Sequence, residues 1–313
     1  MLALLFPGQG SQEVGMGRDI CEASCAAREV FDTADHVLGF SLSRLCFEGP
    51  EDELVRTEFQ QPAILTTSVA LLRALGEQLE PNPGLVAGHS LGEYTALVAS
   101  GAVSFEGAVR TVHARGRFMQ EAVPEGRGAM AAVMGCPPED VERACRIAAS
   151  ETGNVVAPAN YNARLQTVIS GDAAAVELAC SQARQAGAIR AVPLAVSAPL
   201  HCDLMTPAAE KLALELSSVH FRRAQPPVVT NVEATPNADA GRIPELLKRQ
   251  VTAPVRFVEM IECMAERGVT RVLEIGPGRV LTGLIRRIDA KLARGNLSTF
   301  SELTDAAHFA ALA

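Results

Sequence analysis

The chain has 313 residues, 48% of them hydrophobic, which is enough for one large core and a second, smaller one, so two subdomains are expected. Its 28 basic and 36 acidic side chains leave a formal charge of -8 with no long block of either sign, which excludes a nucleic-acid-binding footprint and leaves any anionic substrate to local arginines. No apolar run approaches the roughly 20 residues needed to cross a bilayer, and the apolar start at residues 1–6 has no basic flank and breaks at Pro7-Gly8, so a buried strand, no membrane partner and a cytoplasmic address are expected.

That first strand runs into Phe6-Pro7-Gly8-Gln9-Gly10-Ser11-Gln12, which lacks the lysine of a phosphate-binding loop and the third glycine of a dinucleotide fingerprint. Its glycines let backbone amides approach a reacting carbonyl, as the second wall of an oxyanion hole would; an ordinary tight turn is the alternative. Cys21 and Cys25 stand one helical turn apart, but the eight cysteines form no C-x-x-C pair and no histidine lies nearby to complete a zinc set, so reduced thiols and no metal site are expected. Helical patterns follow at 27–38 and 51–57, and Pro62 is expected to open an apolar helix through residue 72.

Strand 84–87 then meets Gly88-His89-Ser90-Leu91-Gly92, a G-x-S-x-G nucleophile elbow, with a helix over 91–99 beyond it closed by Ser100-Gly101. A serine at such a turn is strained and exposed. Gly88 and Gly92 permit close backbone packing, and the helix N-terminus offers amides to an oxyanion. A plain glycine-rich turn is the alternative. The order strand, helices, strand, elbow, helix is that of a parallel sheet covered by helices.

Ser104 is expected to cap the next helix, which runs to about residue 120 with Phe105, Ala108, Val109, Val112 and Met119 on its apolar stripe. Arg115 falls on that stripe. Its guanidinium must meet either a protein acid or the carboxylate of a bound substrate, and spacing leaves both open. Residues 124–128 read as a linker. Strand 129–134, helix 138–150, strands 154–157 and 167–170, helix 173–186 and strand 189–193 then give the βαββαβ order of a ferredoxin-like unit.

The expected fold class is therefore α/β: an α/β-hydrolase-like parallel-sheet core over residues 1–126 and 197–313, with an inserted ferredoxin-like subdomain over 127–196. Asn160 and Asn162, on the loop between the subdomain's central strands, are candidates to face a substrate cleft, turn formation being the alternative. Among the six histidines, His201 lies between a proline turn and the helix starting near Pro207 and is the best candidate base for Ser90, whereas His89 adjoins the serine and is expected to point away from it. The last third offers strand 227–230, helix 258–267, strand 271–275, the turn 276–278 and helix 280–292, around whose end Arg286, Arg287, Lys291 and Arg294 form either a solvated face or a guide for an acidic partner.

Taken together, Phe6–Gln12, Gly88–Tyr94, Arg115–Gln120, Ser197–His201 and Gln250–Phe257 resemble the malonyl-CoA:acyl carrier protein transacylases in order and spacing over essentially the whole chain. The resemblance implies a Ser90–His201 dyad, an oxyanion hole from the amides of Gln9 and Leu91, and Arg115 gripping the free carboxylate of malonate. Gln250 would orient His201 through its main-chain carbonyl, in place of a triad aspartate, and Leu200 lies in a stretch that varies with acyl preference in related polyketide acyltransferases. The implied reaction is ping-pong: malonyl passes from malonyl-CoA to Ser90, then to the phosphopantetheine thiol of an acyl carrier protein of fatty-acid or polyketide synthesis, without metal or bound cofactor. A monomer is expected. The rival readings are an acyl hydrolase or esterase acting on acyl thioesters, an acyltransferase with a different acyl-CoA donor, and a non-catalytic carrier-docking module; Arg115 separates the hydrolase from the transferase, because an unfunctionalised acyl chain needs no carboxylate clamp, and intact Ser90, His201 and Arg115 argue against the docking module.

Overall fold

The computed structural model describes residues 1–124, 126–194, 196 and 198–312. Glu125 of the expected linker and Ser197, the first residue of the expected second core segment and of the Ser197–His201 motif, lie outside the described residues. The fully buried strand β1 (Leu2–Phe6) is followed by helices α1 (Arg18–Ala23), α2 (Cys25–Leu38), α3 (Leu42–Glu48), α4 (Glu51–Leu54) and α5 (Thr57–Gln78). Ser24 ends α1 and caps α2 by accepting from the Ala27 amide, so Cys21 and Cys25 stand on separate helices and not one turn apart on the same one. Pro62 likewise does not open its helix: α5 starts at Thr57 and carries the proline inside. The hydrogen bond that Pro62 cannot donate is offset by burial, for residues 60–71 are buried without interruption, the pattern of a helix packed on all sides.

Strand β2 (Leu85–Gly88), α6 (Gly92–Ala99) and α7 (Phe105–Ala122) complete the first segment, with the Ser104 side chain capping α7 at the Gly107 amide. The small unit follows as β3 (Gly128–Met134), α8 (Pro138–Thr152), β4 (Val156–Ala163), β5 (Gln166–Asp172), α9 (Ala173–Gln185) and β6 (Arg190–Pro193), in the sheet order β4-β5-β3-β6 with all neighbours antiparallel. Strand period 2 divides β3 between two cores: Ala131 and Val133 pack with α8 and α9, while Met130 and Ala132 join the main core. Asn160 and Asn162 lie on β4 itself, not on a loop, because two register shifts let the strand run on past Pro158 to Ala163.

The chain closes with α10 (Thr206–Ser217), β7 (Val228–Val229), β8 (Pro236–Asn237), α11 (Ile243–Thr252), α12 (Phe257–Glu266), β9 (Arg271–Ile275), α13 (Val280–Ile288), β10 (Ala293–Leu297) and α14 (Leu303–Ala311). The late helix is shorter than its composition suggests. It ends when its buried face, Leu281, Leu284, Ile285 and Ile288, is complete; Asp289 turns extended, and Arg294 falls on β10 beside β9. The basic residues therefore span a helix end, a turn and a strand.

The main sheet has the order β10-β9-β1-β2-β7-β8, parallel except for β8. Alternation along β1 sends Leu2, Leu4 and Phe6 to one core and Ala3 and Leu5 to the other. Each such large side chain contributes about 1.5–3 kcal/mol on burial. Register places Phe6 opposite Gly88, so the loop leaving β1 and the turn leaving β2 emerge side by side. Among the described residues, no helix is long and apolar enough to cross a membrane.

Candidate active site

The turn after β2 holds Ser90 at φ 51, in the left-handed region that costs a non-glycine residue about 1–3 kcal/mol. Close packing enforces it. A Cβ on Gly88 would lie 2.0 Å from the Gly92 carbonyl, and one on Gly92 would lie 2.1 Å from the Phe6 oxygen, so only glycine lets α6 sit on β1 and β2. The strained turn is clamped by Asn231, whose Oδ1 accepts from the Ser90 amide at 2.6 Å while its Nδ2 donates to the Gly88 carbonyl at 2.7 Å.

His201, at φ 62 on the segment before α10, brings its Nε2 to 2.8 Å from Ser90 Oγ. Its Nδ1 lies 2.8 Å from the main-chain oxygen of Gln250 on α11. A carbonyl can only accept, so Nδ1 carries the proton and Nε2 is left bare to receive one from Ser90. Burial first, and the neighbouring Arg115 charge second, push the imidazole down to about 3, which keeps it neutral at physiological pH.

Arg115, projecting from α7, is fully buried. Its Nη1 donates to Gln61 Oε1 at 2.6 Å, and its Nη2 donates to Ser90 Oγ at 3.1 Å and to Gln250 Oε1 at 2.9 Å, with the guanidinium 5.5 Å from the centre of the Tyr94 ring. Among the described residues all its hydrogen-bond partners are neutral, so no protein acid takes up its fork. Its buried Nε has no hydrogen-bond partner among the described residues.

Of the expected oxyanion amides, those of Gln9 and Leu91 donate to no acceptor among the described residues, and the loop bearing Gln9 abuts the elbow, since the His89 amide donates to the Phe6 carbonyl at 3.0 Å. Gln9 is also tied to the arginine through side chains: its Nε2 donates to Gln60 Oε1 at 2.5 Å, and its Oε1 accepts from Gln61 Nε2 at 3.4 Å. Gln9, Ser90, His201, Asn160 and Leu200 line one cleft of about 370 Å³, with the main sheet's loops on one side and the small sheet on the other. Asn162 stands apart from it, with its Oδ1 2.8 Å from Nε2 of His89, a residue that also lines the cleft.

Gln61, Glu93 and Asn231 join the site without a role expected from the sequence. Two adjacent glutamines in an apolar helix were a usable signal for Gln61, and a carboxylate one turn beyond the elbow was one for Glu93; Asn231, in a connection of no recognisable pattern, offered none. Among the described residues no cluster of histidine, cysteine and carboxylates could hold a metal ion.

A family model described as an acyl transferase domain matches residues 3–293. The malonyl CoA-acyl carrier protein transacylase of Escherichia coli strain K12 is 47% identical over 97% of this chain and 98% of its own, and that of Bacillus subtilis strain 168 is 49% identical over 93% and 91%. A solved complex of a type II PKS acyl-carrier protein with its malonyl-transacylase superimposes with a TM-score of 0.95 at 46% identity, covering 98% of this chain and 99% of the matched one.

Proposed function

We infer the reaction from the premise that the chain belongs to the malonyl-CoA:acyl carrier protein transacylases, within the acyl transferase family. It is an acyltransferase that moves a malonyl group from malonyl-CoA to an acyl carrier protein of fatty-acid or polyketide synthesis. The observation that carries the assignment of residues is that Ser90 Oγ touches both a bare imidazole nitrogen and a buried guanidinium with no acid partner.

In the first half-reaction Ser90 Oγ attacks the thioester carbonyl while His201 Nε2 takes its proton. The free amides of Gln9 and Leu91 meet the oxyanion of the tetrahedral intermediate, and coenzyme A leaves with the proton from His201. The malonyl ester carries its carboxylate two bonds from the ester carbonyl, within the span of a group that already contacts Oγ, so Arg115 can grip it throughout. In the second half His201 deprotonates the phosphopantetheine thiol, which attacks the ester and frees Ser90. Over the two halves one thioester is exchanged for another through an oxygen ester, a nearly balanced transfer, so a nucleophile, a base and positioning suffice without a cofactor. A hydrolase of plain acyl chains would have no use for an arginine buried beneath its nucleophile.

Residues 127–196 act as a subdomain that walls the cleft, with residues 1–126 and 197–313 as the catalytic core. All the groups invoked come from one chain, which supports action as a monomer, and the eight free cysteines suit a reducing, cytoplasmic setting. The test is intact-mass measurement after mixing with malonyl-CoA or acetyl-CoA, with and without carrier protein. Malonyl-CoA should add one malonyl mass, which carrier protein then removes; an adduct that instead decays to water would mark a hydrolase.

A further inference from the structure

Glu93, in the first turn of α6, is 2% exposed, yet it has no ion-pair partner among the described residues. Its Oε2 accepts from Gln250 Nε2 at 2.6 Å and from the Asn231 amide at 3.1 Å. Each partner reaches the reacting serine. Asn231 brackets the elbow, and the Gln250 amide donates from the same Nε2 to the Ser90 carbonyl at 3.0 Å while its Oε1 accepts from Arg115. One amide thus stands between a buried cation and a buried carboxylate, its oxygen to the first and its nitrogen to the second, and that double polarity fixes its orientation.

A fully buried guanidinium needs a compensating anion. A carboxylate in direct contact would occupy the fork bidentately and compete with the substrate for it. We propose that Glu93 is a positioning residue for malonyl transfer, the resident counter-charge of Arg115 held one amide away, which offsets the buried cation through Gln250 while leaving the arginine's fork to the substrate carboxylate. This rests on the reading of Ser90 and Arg115 given above.

The charged and titratable groups around Glu93 and its bridge are Arg115 from α7 and Tyr94 from its own helix, with His201 on the main-chain oxygen of Gln250 and His89 adjoining Ser90. Burial raises the Glu93 carboxyl to about 7, while it raises Tyr94 and lowers both histidines. Of these groups Glu93 is the one that burial brings up to about 7. Above that pH it is ionised and orders the bridge; below, it is neutral.

The decisive measurement is the rate of Ser90 acylation by malonyl-CoA, read by quench and intact mass across pH 6 to 8, without carrier protein. In the native enzyme it should rise with pH through a step near 7. Glu93→Gln keeps the shape and an acceptor for both donors; it should be flat across the window, about tenfold below the native upper plateau, with the loss in the acylation rate constant and no rise in KM. A merely structural role would lower the rate equally at every pH and leave the step in place. Gln250→Met, which keeps the main-chain carbonyl for His201 but removes the bridge, should also lose the step. A native profile without a step, or a step that survives in either variant, overturns the inference; failure of the native protein to take up malonate at Ser90 overturns the function itself.

Discussion

Ser90 and His201 face each other from backbone conformations that side chains usually avoid, and the polar groups around them decide their chemistry. Ser90→Ala should take up no malonyl mass from malonyl-CoA; an adduct that persists, or that maps to Cys202, would reassign the nucleophile. Burial pushes His201 down to about 3, so if it is the proposed base no acid limb belonging to it should appear near pH 6.5, and His201→Ala should slow both half-reactions by about 10²–10⁴ in stopped assays. Arg115→Ala should shrink the malonyl-to-acetyl ratio of kcat/KM by about 10- to 150-fold, the worth of a charged bidentate contact of about 1.5–3 kcal/mol, and Arg115→Lys should restore only part. These residues were legible because chemistry imposes a local signature: glycines two places either side of a serine, an arginine on an apolar stripe. Asn231 carries no such mark, since what it does depends on a turn 141 residues away.

The contact of α6 with the strands beneath it admits no added carbon. Gly92→Ala would drive a Cβ into the Phe6 carbonyl, so the helix must lift from β1; a loss of about 1–3 kcal/mol or more in denaturant unfolding is expected, together with weakened acylation, since the Leu91 amide rides on that helix. Ser104→Ala should lose about 1 kcal/mol from the α7 cap and leave the malonyl-to-acetyl ratio unchanged, which separates stability from chemistry. The elements read well from sequence are those with a full period and a stop: β1, α7, and α8 with α9 around the small sheet. The helix expected over 280–292 overruns α13 because no glycine or proline directly follows Ile288 to end it, and β10, Ala293–Leu297, is hard to read because Ala-Arg-Gly-Asn-Leu holds no β-branched or aromatic residue. The helix carrying Gln250, α11, is announced in the sequence only by Pro244 in its first turn.

Across the molecule, the small sheet is stitched to the core close to the cleft: β4 exchanges hydrogen bonds with the segment after α11, the Tyr161 amide to the Val255 carbonyl and the Val255 amide to the Ala159 carbonyl, both at 2.9 Å. Farther out, Arg287 at the end of α13 reaches Gln166 of β5 at 2.6 Å, leaving Arg286 and Lys291 exposed beside it. If this basic edge steers an acidic carrier, malonyl transfer to carrier protein should slow with rising salt while self-acylation changes less, and Arg286→Glu with Lys291→Glu should flatten that salt dependence. Unchanged carrier kinetics would make the edge a solvated surface. The bonds that complete the nucleophile join residues 111, 141 and 160 positions apart in sequence. During synthesis the elbow therefore leaves the ribosome long before His201, Asn231 and Gln250, and a nascent chain halted after β6 holds the serine and the arginine but lacks the proposed base. Contacts of such separation also form late and slowly. The enzyme's chemistry should switch on in one step near the end of folding, so a partly made chain cannot trap malonate as a dead ester.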